Sequence, residues 1–245
     1  MTHAMGAGNG APTRPTAVLV HGGLLGSWCW DKVVAELAAR GLESVTVDLP
    51  IEDPAAGAAA YADVVVRSAD GLPSVVLVGH SMSGVCVPLA AHRLPIRHLV
   101  LVGAVLPVPG QSMAEQFAAD PALVSEAQQA FQFDELGRFC LPEEDARRVY
   151  FHDCPDDVAT WAAAKLRPQA STIATEITPL HAWPQVPSTY VLCTEDRAMP
   201  PAWGRRVVPE RLGITPVEIP GGHAPFLSRP ARLAEIIAAA AAPIS

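Results

Sequence analysis

The stretch SVVLVGHSMSGVCVPLAAH, Ser74 to His92, decides how the rest of the chain is read. Its first half, Ser74 to Gly79, is an almost unbroken apolar run rich in valine, as a strand covered on both faces requires. Its second half, from Gly84, has a helical pattern, and Ser81 stands in the few residues between. A strand that turns abruptly into a helix holds its corner residue in a strained conformation and projects that side chain clear of the sheet. The flanking residues must be small, because helix and strand approach closely there. Gly79 meets this need on one side, and Ser83 with Gly84 on the other. Ser83 stands where a nucleophile-elbow pattern has its second glycine and is read as a small residue filling that place. The helix N-terminus also aims N–H groups and positive dipole at the corner, which favours a developing oxyanion. Serine is equally a common helix N-cap, so the turn alone does not make Ser81 a nucleophile.

Working outward, similar apolar runs recur at 16–20 (TAVLV), 44–48 (SVTVD) and 98–104 (HLVLVGA), then at 189–194 (TYVLCT) and 215–220 (TPVEIP). Helical patterns lie between them. WDKVVAELAARG, Trp30 to Gly41, puts Val33, Val34, Leu37 and Ala38 on one face and closes with a C-cap glycine. This alternation predicts an α/β fold: a mostly parallel sheet covered by helices on both faces, with right-handed crossovers. The rhythm breaks over about 107–187, where helix-like segments occur without a convincing strand. A helical insertion at this point is expected to cover the C-terminal edge of the strands as a lid. Residues 1–14 read as a flexible tail rather than a secretory signal, since no charged segment precedes an apolar one. Residues 15–245 read as one domain.

Half of the 245 residues are hydrophobic and 17% are charged, which supplies a sizeable core. The net charge of −8 argues against nucleic acid or an anionic membrane as partner, because both require basic surface. No apolar stretch approaches the ~20 residues of a membrane span. Five scattered cysteines without a CxxC pair read as free thiols in a reducing, cytoplasmic setting. No phosphate-binding or dinucleotide glycine pattern is present, and no His/Cys/Asp cluster has metal-ligand spacing, so neither cofactor nor metal is expected. The expected partner is a small-molecule substrate; monomer and homodimer both remain open.

A serine nucleophile needs a base, and the base needs an orienting acid. Downstream, VLCTEDRAMP ends a strand with Glu195 and Asp196 in the next loop, and VEIPGGHAPF ends another with His223. Both loops open at the sheet edge that carries Ser81, in the order Ser, acid, His. His152 and His181 lie in the insertion, without a strand end to fix them. His92 and His98 read as surface residues. His80 adjoins Ser81, but neighbours on a tight turn usually point apart. After the first strand, His21-Gly22-Gly23 lets the backbone turn and aim N–H groups at a carbonyl oxygen. A donor from Gly23 or Leu24, paired with Met82 N–H, would make an oxyanion hole.

On these residues the chain resembles the α/β-hydrolase superfamily over nearly its whole length after the tail. It is most similar there to the small methyl-esterase and hydroxynitrile-lyase group: HGGLLGSWCW resembles that group's opening, VGHSMSG its elbow, CTEDRAMP its acid loop and GGHAPFLSRPARL its histidine loop. The resemblance implies Ser81 as nucleophile, His223 as base and Asp196, ahead of the short stretch to proline, as acid. It implies hydrolysis of a carboxylic ester through an acyl-enzyme. The plant cyanohydrin lyases of the group carry lysine after the catalytic histidine and threonine after the first-strand histidine; here these positions are Ala224 and Gly22. Lyase, lactonase, thioesterase or cyclase chemistry on the same triad is the alternative, and a ligand-binding homologue without turnover is another. For a small-to-medium apolar substrate the expected lining is Leu24, Phe131, Trp161 and Trp183, with Phe133 and Phe139 as further candidates.

Overall fold

The computed structural model describes residues 14–242. Its strands follow the apolar runs: β1 (Thr16–Val20), β2 (Ser44–Val47), β3 (Val75–His80), β4 (Ile96–Val102), β5 (Gln132–Phe133), β6 (Phe139–Cys140), β7 (Ser188–Cys193) and β8 (Val217–Ile219). Six of them form one parallel sheet in the order β2-β1-β3-β4-β7-β8, with Val18 opposite Leu77, Leu77 opposite Leu99 and Cys193 opposite Ile219.

Successive side chains leave a strand toward opposite faces, so a doubly covered strand divides them between two cores. In β1, Ala17 and Leu19 join one apolar cluster while Val18 and Val20 join the other. Val76 and Val78 separate from Val75 and Leu77 in the same way. The first face is closed by the helices Asp31–Ala39 and Pro230–Ala241, which bury Val33, Leu37, Leu233 and Ile237. The second is closed by Ala58–Ser68, Val87–Ala91 and Pro201–Leu212, through Tyr61, Val65, Val87 and Trp203. Each large side chain buried this way is worth about 1.5–3 kcal/mol of transfer free energy. This explains why continuous apolar runs, rather than alternating ones, mark the strands.

Because the six strands are parallel, the loops after β1, β3, β7 and β8 emerge along one edge. The chain between β4 and β7 holds the helices Met113–Ala119, Glu126–Ala130, Glu143–Val149, Asp156–Ala163 and Thr172–Thr175. It also holds the antiparallel pair β5–β6, where the sequence showed no strand; two-residue strands are too short for a period to register. The helical pattern over Ser112–Phe133 is broken near Pro121, which cannot continue the hydrogen-bond ladder. Capping boxes at Ser112/Glu115 and Ser125/Gln128 start separate short helices on either side.

Of the tail expected at 1–14, residues 1–13 lie outside the described residues, and Arg14 donates to the Gly41 carbonyl at 3.1 Å. No helix among the described residues is long and apolar enough to cross a membrane.

Candidate active site

Ser81 follows β3 directly and opens a one-turn 3-10 helix, Ser81–Val85. Its φ of 52° is a left-handed conformation that a residue with a side chain rarely adopts, and the surroundings hold it there. The Ser81 carbonyl accepts from Val105 N at 3.0 Å. At Gly84 an added Cβ would lie 2.0 Å from the Val105 carbonyl oxygen, so the turn sits flush on the loop after β4 and admits no side chain. Ser83 is fully buried and does fill a glycine's place, but it has a second task that its size did not reveal. Its hydroxyl donates to the carbonyl of His80 at 2.8 Å, fixing the residue before the corner.

The loops after β7 and β8 bring two further side chains to this corner. The Ser81 hydroxyl donates to His223 Nε2 at 2.9 Å, and His223 Nδ1–H donates to Asp196 Oδ2 at 2.8 Å. The other carboxylate oxygen of Asp196 accepts from Ala198 N and Met199 N, both at 2.8 Å. Glu195, the competing acid, is exposed, whereas Asp196 is 6% exposed and His223 2%. The local fold thus separates two adjacent carboxylates that the sequence left side by side.

His80 is the residue that sequence reasoning set aside. Its fully buried ring lies 4.6 Å from the His223 ring, and its Nε2–H donates to the His223 carbonyl at 2.9 Å. Burial, reinforced by the neighbouring His223, holds its pKa well below the usual histidine value, so the donor is a neutral imidazole. Tyr150 packs on His223 from the insertion, ring centres 4.9 Å apart. Among the other histidines, His152 donates to the Glu195 carbonyl at 3.1 Å. His98, expected at the surface, is half-buried in β4 beside Thr189.

Across the corner, Gly23 faces Met82: a Cβ on Gly23 would lie 3.5 Å from the Met82 sulfur. Met82 N–H belongs to the first turn of its helix and has no partner within it. Leu24, like Ser81, has a positive φ, 64°. Arg167 clamps this loop from the insertion: its N–H donates to the Leu24 carbonyl at 2.8 Å, and its guanidinium to the Leu25 carbonyl at 2.9 and 3.1 Å. Nothing in the sequence marked Arg167, since its partners, the Leu24 and Leu25 carbonyls and the Asp48 carboxylate, lie more than a hundred residues away.

A cavity of about 250 Å³ opens above Ser81, and no charged side chain lines it. Leu24 and Phe131 line it as expected, together with Phe139, Met113, Phe117 and Tyr150. Trp161 and Trp183 do not. Trp161 is 43% exposed and stacks edge-on against Trp28, ring centres 5.1 Å apart, beneath the Lys165 ammonium. Trp183 packs, partly buried, against the second core cluster, and Phe133 is exposed on β5. Aromatic type reports apolar character but not which side of a short helix faces the cavity. The thiols offer no rival nucleophile at this corner: burial pushes Cys86 up to about 12 and holds Cys29 and Cys193 well above the ordinary thiol value.

The model of the alpha/beta hydrolase family matches residues 17–236. The chain belongs to the alpha/beta hydrolase family. Among relatives of this hydrolase, the putative methylesterase 12, chloroplastic, of Arabidopsis thaliana is 28% identical over 243 residues, covering 90% of this chain and 70% of that protein. The pyrethroid hydrolase of Sphingobium wenxiniae is 28% identical over 242 residues, covering 90% and 85%. The crystal structure of a pyrethroid hydrolase from Sphingobium faniae JZ-2 superposes with a TM-score of 0.80 at 27% identity, covering 94% of this chain and 98% of that one. The likeness to methylesterases read from the loop motifs therefore extends over the fold.

Proposed function

We propose that this hydrolase cleaves an uncharged carboxylic ester through an acyl-enzyme on Ser81. The observation that carries the reading is the buried hydrogen-bonded line from Ser81 Oγ through His223 to Asp196, at 2.9 and 2.8 Å. Ser81 Oγ attacks the ester carbonyl as its proton passes to His223 Nε2. The tetrahedral oxyanion accepts from Gly23 N–H and Met82 N–H, and removing one such donor typically costs about 10²–10³ in kcat. The oxyanion collapses and expels the alkoxide, which takes the proton from His223. Water then attacks the acyl carbonyl, giving its proton to His223; the second tetrahedral oxyanion collapses and breaks the bond to Ser81 Oγ, which takes that proton back from His223 as the acid leaves. Asp196 stays ionised throughout, holding the Nδ1–H tautomer and supporting the imidazolium.

The uncharged lining of a compact cavity supports a small-to-medium apolar ester. The names of the relatives, methylesterase and pyrethroid hydrolase, agree with ester cleavage. Cyanohydrin cleavage is disfavoured on two counts. Ala224 brings no cation to the site, and a Cβ at Gly22 would lie 2.7 Å from His80 Nδ1 and 2.8 Å from Ser81 Cβ, which leaves no room for threonine. We read 15–245 as one domain in which 107–187 serves as a cap, because this segment supplies Phe117, Phe131, Phe139 and Tyr150 to the cavity wall. A net charge of −8 supports a small-molecule partner over nucleic acid, and five free cysteines support a reducing compartment such as the cytoplasm.

A fluorophosphonate probe and a panel of methyl and aryl esters test the reading. The wild type is expected to label at Ser81 and to release acid and alcohol. Ser81→Ala should lose both activities. Ester hydrolysis that survives Ser81→Ala overturns the assignment.

A further inference from the structure

One fully buried side-chain polar atom at the cavity has no partner among the described residues. Gln169 lines the cavity, is 4% exposed, and its Oε1 accepts no hydrogen bond. The amide cannot be turned round to cure this. Its Nε2 lies 3.2 Å from the carbonyl oxygens of both Ile51 and Ala170 and 3.1 Å from the Tyr61 hydroxyl. A flipped amide would set an oxygen against two carbonyl oxygens, so the network fixes the nitrogen on that side. The residue is also pinned through its backbone, which exchanges hydrogen bonds with Phe139 at 2.7 and 2.8 Å.

Ile51, Tyr61 and Ala170 lie off the cavity wall, so the nitrogen edge of the amide points into the protein and the oxygen edge toward the cavity. A Cβ built on Gly23 would stand 3.7 Å from Oε1, which places the oxygen beside the backbone that receives the oxyanion. The other polar residues on the wall are differently placed. Ser125 and Gln128 satisfy one another in their capping box, with Gln128 N–H donating to Ser125 Oγ and Ser125 N–H donating to Gln128 Oε1.

We infer that Gln169 Oε1 receives a hydroxyl or N–H of the substrate close to the scissile carbonyl, so that the preferred esters carry such a donor in an otherwise apolar frame. The inference rests on the ester-hydrolase reading and narrows it to a substrate class. A site whose buried acceptor waits for a donor discriminates against analogues that lack one, because binding those leaves the acceptor unpaired. Gln169 is in this sense a specificity-determining residue: it takes no proton and touches no reacting atom.

The test compares methyl mandelate with methyl phenylacetate and methyl 2-methoxyphenylacetate on the wild type, which needs no variant to fold. Mandelamide and phenylacetamide, read by thermal shift and as competitive inhibitors, give the same comparison without turnover. The hydroxy compounds should be favoured about tenfold or more, in kcat/KM and in binding. In Gln169→Met, checked for an intact thermal transition, the ratio between the hydroxy and the deoxy ester should fall to about one. Equal rates and equal binding in the wild type overturn the inference, as does a hydroxyl preference that survives Gln169→Met. Fluorophosphonate labelling of Ser81 in the same samples reports the nucleophile separately, so a failure of the underlying reading is told apart from a failure of the specificity.

Discussion

The protonation of His80 provides a quantitative test of how the corner is built. The ring is fully buried, its Nε2–H is committed to the His223 carbonyl, and its Nδ1 has no partner. Burial, and then the nearby His223 and His21, hold the folded pKa well below the ordinary value, and a proton added to Nδ1 would meet no acceptor among the described residues. In the unfolded chain the same side chain titrates near ~6.5. Between the two values the unfolded state binds a proton that the folded state refuses, so stability rises with pH across this window and is level above it. Read downward, the loss from His80 begins near pH ~6.5 and approaches a limiting slope of about 1.4 kcal/mol per pH unit, the value for one proton, until the folded pKa is reached. His98, also depressed by burial, contributes in the same window, so the comparison must be with a variant. His80→Gln keeps an N–H for the His223 carbonyl but cannot titrate. Urea denaturation followed by tryptophan fluorescence, between about pH 4.5 and 7.5, should give a slope steeper by about one proton in the wild type than in the variant. A single common slope for both, or a wild-type stability level through the window, would refute the reasoning, whatever the absolute stabilities.

Two other substitutions probe the neighbouring turns. Ser83→Gly removes the donor to the His80 carbonyl and should lower stability by about 1–3 kcal/mol in thermal denaturation while Ser81 still labels. Ser83→Leu, placed in a fully buried site against β3, should abolish the cooperative transition and the labelling together. Arg167→Ala removes the guanidinium from the Leu25 carbonyl and from Asp48, while the backbone N–H keeps its bond to the Leu24 carbonyl; if the loop after β1 supplies an oxyanion donor, steady-state kinetics should show kcat reduced by up to about 10² with KM little changed. An unchanged kcat would mean that Leu24 keeps its conformation without the clamp.

The parts of the molecule readable from sequence are those decided by local pattern. Val75–His80 announces itself because a strand buried on both faces must be apolar throughout, and the Ser, Asp, His order is visible because three parallel strands end at one edge. Adjacent carboxylates illustrate the limit. Glu195 and Asp196 differ by one position and local pattern left both open; the likeness of CTEDRAMP to an acid loop singled out Asp196, and the fold adds the reason, since Asp196 receives Ala198 N and Met199 N. The insertion was least legible: its helices are short, its two-residue strands show no period, and its contacts are long-range. Trp161 and Trp183 satisfied the criterion of apolar bulk yet face elsewhere, whereas Gln169, a polar residue with no motif around it, lies on the cavity wall. His80 escaped notice for another reason. Its role depends on a backbone carbonyl 143 positions later, which no neighbouring residue foretells.

The position of the insertion has an evolutionary consequence. β4 and β7 are neighbours in the sheet, so the chain departs and returns between adjacent strands, and the segment can change length without disturbing any pairing. Ser81, Asp196 and His223 all lie outside it. What the cavity admits can therefore vary with this segment while the three side chains stay on the loops of the sheet. Several contacts limit that freedom, Tyr150 on His223 and His152 on the Glu195 carbonyl among them; Arg167 likewise travels with the segment yet braces the loop after β1, so a transplant that omits an equivalent brace would inherit a new appetite on a slackened scaffold.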